Sequence, residues 1–314
     1  MRWRPTRGRE SNVVDQSLKL STRQAFDLYE TWRHRLPPAS FPSTSCHVRD
    51  LSEIAEVVDA FVLDAFGVLN VGRRPVPGAL SRVQEFRRAG KKVVLLTNSA
   101  SNASGAVLRK YRKLGFNFSA TEVVTSRATC AIRLSNHGLG GVWSVIGTET
   151  DNHSDLPMPT VRWTAAGQRD FDGFLLLSAA SLDPQTYATL RDTLVERPRP
   201  LLVANPDVVS PGENGLSREP GYFAHRLADE IGVEPAFFGK PFQDAFDDVK
   251  TRLGDISPDK VAMVGDTLHT DILGGAAAGF RTVLISDFGL FAGEDIELYV
   301  GRSGIVPNYI CKVV

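Results

Sequence analysis

Short apolar runs that alternate with helix-length segments constrain this sequence more than any other feature. Five runs end in or beside a polar residue: VDAFVLD, KKVVLLT, EVVT, VAMVGD and TVLISD. Strands that are apolar along their whole length are typical of a parallel sheet covered by helices on both faces. The sequence therefore predicts an α/β fold. Because ligands bind at the carboxyl ends of such strands, we expect Asp64, Thr97 and Asp266 to meet in one crevice.

The central part of the chain is too long to be a simple connection between two strands. The stretch between Thr97 and Lys240 far exceeds the dozen or so residues that a crossover needs. Within it, GGVWSVIG, FDGFLLLS and PLLVAN are predicted strands, and PQTYATLRDTLVE is a predicted helix. We therefore expect a smaller α/β domain at residues 137–222, inserted into a main domain formed by residues 46–136 and 223–314.

Residues 1–45 are predicted to be an N-terminal extension with one helix. The segment LSTRQAFDLYETWRHR carries apolar residues at near-helical spacing, and Ser21 and Gln24 form a capping box at its start. Pro37 ends the helix. The expected position is against the outside of the main domain, with covering of the substrate or formation of a dimer as alternatives.

Charge and composition exclude several classes of protein. The 36 basic residues balance the 36 acidic ones, so the chain lacks the positive excess of a dedicated nucleic-acid binder, and a small charged metabolite is the expected partner. No apolar run approaches the roughly 18 residues of a membrane span. The three cysteines form no CxxC pair, which argues against a disulfide framework and favours a cytoplasmic location.

Two of the predicted strand ends carry residues suited to phosphate chemistry. Asp64 follows an apolar strand and is followed by Gly67, and a carboxylate in such a turn can act as a nucleophile or bind a hard cation. Taken alone, it is also a common turn residue. Thr97, Asn98 and Ser99 offer a hydroxyl and backbone N–H groups that can hold a phosphate oxygen.

Two later segments add charge of both signs. Lys240, in the sequence GKP, offers an ammonium that can neutralise a phosphate and a nucleophilic carboxylate together. Asp266 and Asp271 flank a turn after another predicted strand. With Asp64 they resemble a site for Mg2+, which prefers a few carboxylates together with water and phosphate oxygens. Asp271 alternatively caps the helix that follows.

The segments DAFGVL, LTNS, GKP and GDTLHTD, in that order, resemble the four motifs of the haloacid dehalogenase superfamily. The insertion with ANPD at residues 204–207 is similar to subfamily IIA, which has a large α/β cap of the C2 type and includes NagD-like sugar phosphatases and pyridoxal phosphate phosphatase. The resemblance implies a Rossmann-like core with an inserted cap domain, and Asn205 and Asp207 of the cap would contact the substrate. Caps of this subfamily also mediate homodimers.

The resemblance also implies roles for the core residues. Asp64 would attack the phosphorus of a small phosphorylated metabolite and form an aspartyl-phosphate. Thr97, with Asn98 and Ser99 beside it, would hold the phosphoryl oxygens, and Lys240 would balance their charge.

The same resemblance implies a Mg2+ cofactor. The metal would be bound by Asp64, the backbone carbonyl of Phe66 and Asp266, while Asp271 would orient its water shell. The cation is needed because an anionic carboxylate must approach an anionic ester.

The sequence departs from the family at Phe66. The phosphatases of the family carry at this position a second Asp, which protonates the leaving oxygen and later activates water. A positioned acid or base typically contributes ~100- to 10,000-fold, so we expect slow turnover of alkyl phosphates. Either His269 or Asp207 supplies the proton instead, or the substrate is an aryl or acyl phosphate with a good leaving group. The remaining alternatives are different chemistry, such as phosphoryl transfer or cleavage of C–P or C–halogen bonds, and an impaired protein that only binds phosphate and metal.

Overall fold

The computed structural model describes residues 20–137, 141–164, 170–212 and 215–314. The first 19 residues of the predicted extension lie outside these ranges. Within them the helices are α1 (Thr22–Thr31), α2 (Ala79–Arg88), α3 (Ser104–Lys113), α4 (Ser126–His137), α5 (Pro184–Glu196), α6 (Pro220–Ile231), α7 (Gln243–Leu253), α8 (Leu273–Ala277) and α9 (Ile296–Ser303). None of these helices is long and apolar enough to cross a membrane.

The strands form two parallel sheets and two short antiparallel pairs. In chain order they are β1 (Cys46–Val48), β2 (Ala60–Leu63), β3 (Asn70–Val71), β4 (Arg74–Pro75), β5 (Lys92–Thr97), β6 (Val123–Thr125), β7 (Trp143–Ile146), β8 (Thr160–Arg162), β9 (Gly173–Leu176), β10 (Leu201–Val203), β11 (Val209–Gly212), β12 (Gly215–Arg218), β13 (Pro235–Phe237), β14 (Val261–Gly265), β15 (Arg281–Ile285) and β16 (Tyr309–Cys311).

The main sheet has seven parallel strands in the order β1-β16-β15-β14-β2-β5-β6. Its five strands predicted from the sequence are confirmed. The alternation of Tyr309, Cys311 and Val313 in the sequence predicts a C-terminal strand at an edge of the sheet, and this position is wrong. The strand β1 pairs outside β16, which is therefore the second strand from the edge.

Both faces of the main sheet are buried, as its continuously apolar strands require. Along β2, Phe61 and Leu63 pack with residues of α2 and α3, whereas Ala60 and Val62 pack with residues of α7. Successive side chains of a strand point to opposite faces, so a strand covered on both sides must be apolar at every position. The carboxyl ends of the strands remain free to carry polar side chains.

The smaller sheet has five parallel strands in the order β13-β10-β9-β7-β8. One face packs on α5 and α6, and the other contacts residues of α4, including Cys130 and Leu134. We call the part of the chain from β7 to β13 the cap domain. The sequence predicts that this domain ends at residue 222, whereas in the structure Pro235–Phe237 pairs with β10 and adds β13 to the smaller sheet.

The predicted N-terminal helix is present as α1, with the capping box of Ser21 and Gln24 formed. Its apolar face, with Phe26, Tyr29 and Trp32 buried, packs on a cluster that also contains residues of α9. The helix therefore lies on the main domain, as expected.

The helix α1 also contacts the cap domain. The indole nitrogen of Trp32 donates to Asp229 at 2.7 Å, and the hydroxyl of Tyr29 accepts a hydrogen bond from the backbone of Val208 at 3.0 Å. Because α1 touches both domains, it helps to fix their relative position.

Candidate active site

A cavity of about 400 Å³ lies at the carboxyl edge of the main sheet, where the cap domain faces it. Asp64 follows β2, Thr97 ends β5, and Asp266 follows β14, so adjacent strands bring all three to the same edge. The cavity is also lined by the other predicted site residues: Phe66, Asn98, Ser99, Asn205, Asp207, Lys240 and Asp271. The structure thus brings together every residue that the sequence analysis assigned to the site.

Three carboxylates form the centre of this site. Oxygen atoms of Asp64, Asp266 and Asp271 all lie within 4.8 Å of one another, and the three residues are buried. The turn after β2 approaches Asp266 closely at Gly67, whose φ is +74°. A Cβ at this position would lie 2.6 Å from the Cβ of Asp266, so only glycine fits.

Hydrogen bonds hold the two acids that follow β14. Asp266 accepts from the backbone N–H of Leu290 at 2.7 Å and from the hydroxyl of Thr267 at 2.9 Å. Asp271 lies in a π-helical turn at Leu268–Ile272 and accepts from the backbone N–H of Thr267 at 3.1 Å. Such turns are often found at functional sites, and here the turn directs Asp271 back toward Asp266.

Lys240 lies among the carboxylates. Its ammonium donates to Asp271 at 2.7 Å and to Asp64. Asn98 fixes the lysine backbone from both sides, because its side-chain oxygen accepts from the Lys240 N–H at 2.8 Å and its amide donates to the Lys240 carbonyl at 2.9 Å. These hydrogen bonds therefore join the segments LTNS and GKP directly.

Burial dominates the electrostatics of this cluster. It raises the pKa of Asp64 to about 7 although Lys240 opposes the shift. Burial also raises the pKa of Asp266, and the charges of Asp64 and Asp271 add to the effect. Burial disfavours the charged form of Lys240, but Asp271 and Asp64 outweigh it and raise the pKa of the ammonium. Two of the three acids, Asp64 and Asp271, thus pair with one ammonium, and the buried oxygen-rich set fits a hard divalent ion.

The cap domain reaches the site through two polar residues that follow β10. Asp207 accepts from the amide of Asn98 at 2.8 Å, while Asn205 accepts from the backbone N–H of Asp207 at 3.0 Å. The amide of Asn205 donates to Glu219 at 3.1 Å. Burial raises the pKa of Asp207 to about 7. Asn98 therefore links the core lysine to the cap acid.

The two residues considered as substitutes for the missing acid lie in different places. Asp207 lines the cavity, whereas His269 is fully buried and is absent from the described lining. The imidazole of His269 stacks on Tyr29 with ring centroids 4.9 Å apart, and its Nε2 lies 2.5 Å from Glu30. His269 therefore belongs to the contact with α1, and its suggested role as a proton donor does not fit this position.

Two charged residues of the cavity, Lys110 and Glu219, were not predicted from the sequence. Lys110 lies in α3, and its ammonium lies over the ring of Phe66, 4.6 Å from the centroid. Its only signal in the sequence is a position on an amphipathic helix close to the second motif. Glu219 precedes Pro220 and α6, a pattern that predicts a helix start rather than a site.

Comparisons with known proteins agree with this geometry. A family model described as haloacid dehalogenase-like hydrolase matches residues 61–154, and a second, described as HAD-hydrolase-like, matches residues 237–312. Human chronophin is 30% identical over 290 residues, which cover 84% of this chain and 93% of chronophin. Human glycerol-3-phosphate phosphatase is 29% identical over 289 residues, which cover 80% of this chain and 87% of that protein.

Solved structures give the same result. A possible sugar phosphatase from Cytophaga hutchinsonii superposes with a TM-score of 0.73 at 25% identity, covering 86% of this chain and 98% of that one. The glycerol phosphate phosphatase from Mycobacterium tuberculosis, solved with magnesium, superposes with a TM-score of 0.64 at 26% identity, covering 82% of this chain and 75% of that one. With its matching sequence and its inserted cap domain, the chain belongs to the haloacid dehalogenase-like hydrolases.

Proposed function

We propose that the chain is a Mg2+-dependent phosphatase that hydrolyses a small phosphorylated metabolite through an aspartyl-phosphate on Asp64. The observation that carries this proposal is the cluster of Asp64, Asp266 and Asp271 around Lys240 in one cavity. Relatives named as phosphatases of glycerol-3-phosphate and of sugars support a small phosphate ester as the substrate.

The donor set suits the metal. Asp64 and Asp266, with the backbone carbonyl of Phe66, would hold Mg2+, and Asp271 would orient the water around it. Among the described residues of the turn after β2, backbone N–H groups donate to the carbonyls of Ala65 and Asn70 rather than to the carbonyl of Phe66. When bound, the cation would offset the repulsion between carboxylate and phosphate.

The first chemical step uses groups already in place. Asp64 attacks the phosphorus, a bond forms between its oxygen and phosphorus, and the bond to the leaving oxygen breaks. Thr97 accepts from the backbone N–H of Ser99 at 3.2 Å, which leaves its hydroxyl proton for a phosphoryl oxygen. Lys240 adds positive charge beside the attacking carboxylate. Stabilisation of charge by positioned groups is the main source of catalysis in phosphoryl transfer.

In the second step, water attacks the aspartyl-phosphate and releases Asp64 as a carboxylate with dihydrogen phosphate. Both protons of the water leave with the phosphate, so the balance needs no external base. Phe66 cannot activate the water, however, and an absent base typically costs ~100-fold or more. We therefore expect this step to limit turnover.

Hydrolysis of p-nitrophenyl phosphate, with and without EDTA, tests the proposal. We expect metal-dependent release of p-nitrophenolate that the Asp64→Asn variant abolishes. Asp255→Asn, which changes an exposed acid of the same domain, should remain fully active. No release by the wild-type protein, with Mg2+ binding retained in calorimetry, would instead identify a phosphate-binding protein without turnover.

A further inference from the structure

We propose that Lys110 is a catalytic residue that stabilises the leaving oxygen of the substrate by its charge, without transferring a proton. The substrate class that follows is a phosphate whose leaving oxygen is weakly basic, as in aryl phosphates. This inference rests on the proposed phosphatase function and assigns the residue that acts on the leaving-group side of the same cavity.

The position of Lys110 is defined by two aromatic rings. Its ammonium lies 4.6 Å from the ring centroid of Phe66 and 5.3 Å from that of Tyr111. Tyr111 is fully buried and donates its hydroxyl proton to Asn70 at 2.8 Å, so this ring is fixed. The faces of aromatic rings attract cations, and together they hold the ammonium at the wall of the cavity that also contains Asp64.

The charge of Lys110 is not neutralised by the protein. In the described part of the chain, no carboxylate lies within ion-pair distance of its ammonium and no hydrogen bond to it is present. The other lysine of the cavity, Lys240, contacts both Asp64 and Asp271. A half-buried ammonium that lies over two aromatic faces and forms no ion pair with the described residues retains its attraction for an anion in the cavity.

Phe66 supplies one of the two rings over which the ammonium lies. It lies two positions after the proposed nucleophile, on the wall of the cavity, and offers the lysine a ring in place of an ionisable group. The aromatic side chain carries no charge, so it leaves the positive charge of Lys110 available.

The step balances without a proton. As Asp64 bonds to phosphorus, the electron pair of the breaking bond remains on the leaving oxygen, which departs as a phenolate. Positive charge beside that oxygen stabilises the negative charge that develops in the transition state. The benefit is greatest where the most charge develops, which is on the more basic leaving oxygens within the aryl series.

The test compares kcat/KM for phenyl phosphate and p-nitrophenyl phosphate in the Lys110→Met variant. We expect a loss of about 100-fold for phenyl phosphate, the size of effect seen when one transition-state donor is removed. The loss should be several times smaller for p-nitrophenyl phosphate, whose leaving group is already stabilised. Lys110→Arg, which keeps the charge, should recover most of the activity on phenyl phosphate.

Two further variants separate the possible outcomes. Lys113→Met removes an exposed charge from the same helix and should change neither rate. An equal loss on both substrates, or no loss, in a Lys110→Met protein that melts like the wild type would overturn the assignment. If Asp64→Asn still abolishes turnover in that case, the proposed function stands without the inference. Full turnover by Asp64→Asn would instead overturn the proposed function itself.

Discussion

Phe66 lies two residues after Asp64, at the position where the resemblance to the family leads us to expect a second Asp. Its ring lines the cavity beside Asp64 and contacts the ammonium of Lys110. The sequence shows an aromatic residue at this position, and the loss of a family acid there stays a prediction. The sequence was not sufficient to predict the contact with Lys110, which depends on how α3 packs against the turn after β2.

A Phe66→Asp variant tests the cost of the missing acid. We expect kcat/KM for an alkyl phosphate such as glycerol phosphate to rise by about 100-fold or more, because the new carboxyl can protonate a strongly basic leaving oxygen. Phe66→Asn is the matched control, because asparagine is similar to aspartate in size and polarity but has no titratable proton. An equal gain in both variants would show that the phenyl ring merely obstructs the substrate.

The pKa of Asp207 leads to a prediction on pH and stability. Burial raises this pKa from 3.8 to about 7, so the folded protein retains a proton that the unfolded chain has lost. The stabilising contribution of the protonated carboxyl is complete below the unfolded pKa and disappears as the pH rises through 7. Asp207→Asn keeps an oxygen for the amide of Asn98 and cannot ionise.

We therefore expect Asp207→Asn to unfold at a higher temperature than the wild type at pH 8. At pH 5 the difference should be much smaller, because the wild-type carboxyl is then protonated. At pH 8 we expect the free energy of unfolding to rise by about 2 kcal/mol. The full shift of the Asp207 pKa corresponds to roughly twice that value, but Asp207 remains partly accessible from the cavity. A difference that stays constant from pH 5 to pH 8 would contradict the assignment. Scanning calorimetry of both proteins at pH 5 and pH 8 measures the difference in melting temperature.

Among the elements, those with a strong apolar pattern were predictable and those with little pattern were not. The strands β2, β5 and β14 are buried at nearly every position, and α5 begins and ends at the residues that its sequence indicates. The strand β1 has only three residues, two of them exposed, so it leaves almost no signal.

The sequence also did not predict that β13 belongs to the smaller sheet of the cap domain. Its pairing with β10 brings together parts of the chain that no local pattern relates.

The helix α1 provides a test of how the two domains are held together. The hydroxyl of Tyr29 accepts the hydrogen bond of the Val208 N–H, which is buried beside the cap residue Asp207. Tyr29→Phe leaves this N–H without a partner, and a buried donor without a partner costs about 1–3 kcal/mol. We expect a loss of that size in urea unfolding.

Tyr222→Phe is the control for this experiment. In the described part of the chain, the hydroxyl of Tyr222 makes no hydrogen bond, so its removal should change the free energy of unfolding by less than about 0.5 kcal/mol. Similar losses in both variants would mean that the hydrogen bond to the cap domain contributes little.

At the scale of the whole molecule, the site joins parts of the chain that are far apart in sequence. Asp64, Lys240 and Asp271 meet because β2 and β14 are neighbours in the sheet and because the cap domain returns the chain through β13 to Lys240. The order of strand ends was enough to predict the core of this cluster. The series of hydrogen-bonded side chains that runs from Asn98 through Asp207 to Glu219 was not predictable, because it depends on how the cap domain packs on the core.

This convergence predicts that a divalent cation bound at the proposed site stabilises the whole fold. Without a divalent cation, three buried carboxylates lie beside one another, Asp64 and Asp271 pair with the ammonium of Lys240, and the pKa of Asp64 and of Asp266 is raised. A ligand that binds only the folded state at 100 times its Kd stabilises that state by about 2.7 kcal/mol. We therefore expect saturating Mg2+ to raise the melting temperature of the wild-type protein clearly above its value in EDTA.

The Asp64→Asn variant should respond to the two conditions differently from the wild type. It removes one of the crowded negative charges and still offers an oxygen to Lys240, so in EDTA it should melt at a higher temperature than the wild type. In Mg2+ it should gain much less, because a ligand of the metal is lost, whereas Asp255→Asn should behave like the wild type in both conditions. A melting temperature of the wild type that does not respond to Mg2+, at concentrations that support hydrolysis, would mean that the three carboxylates do not form the metal site.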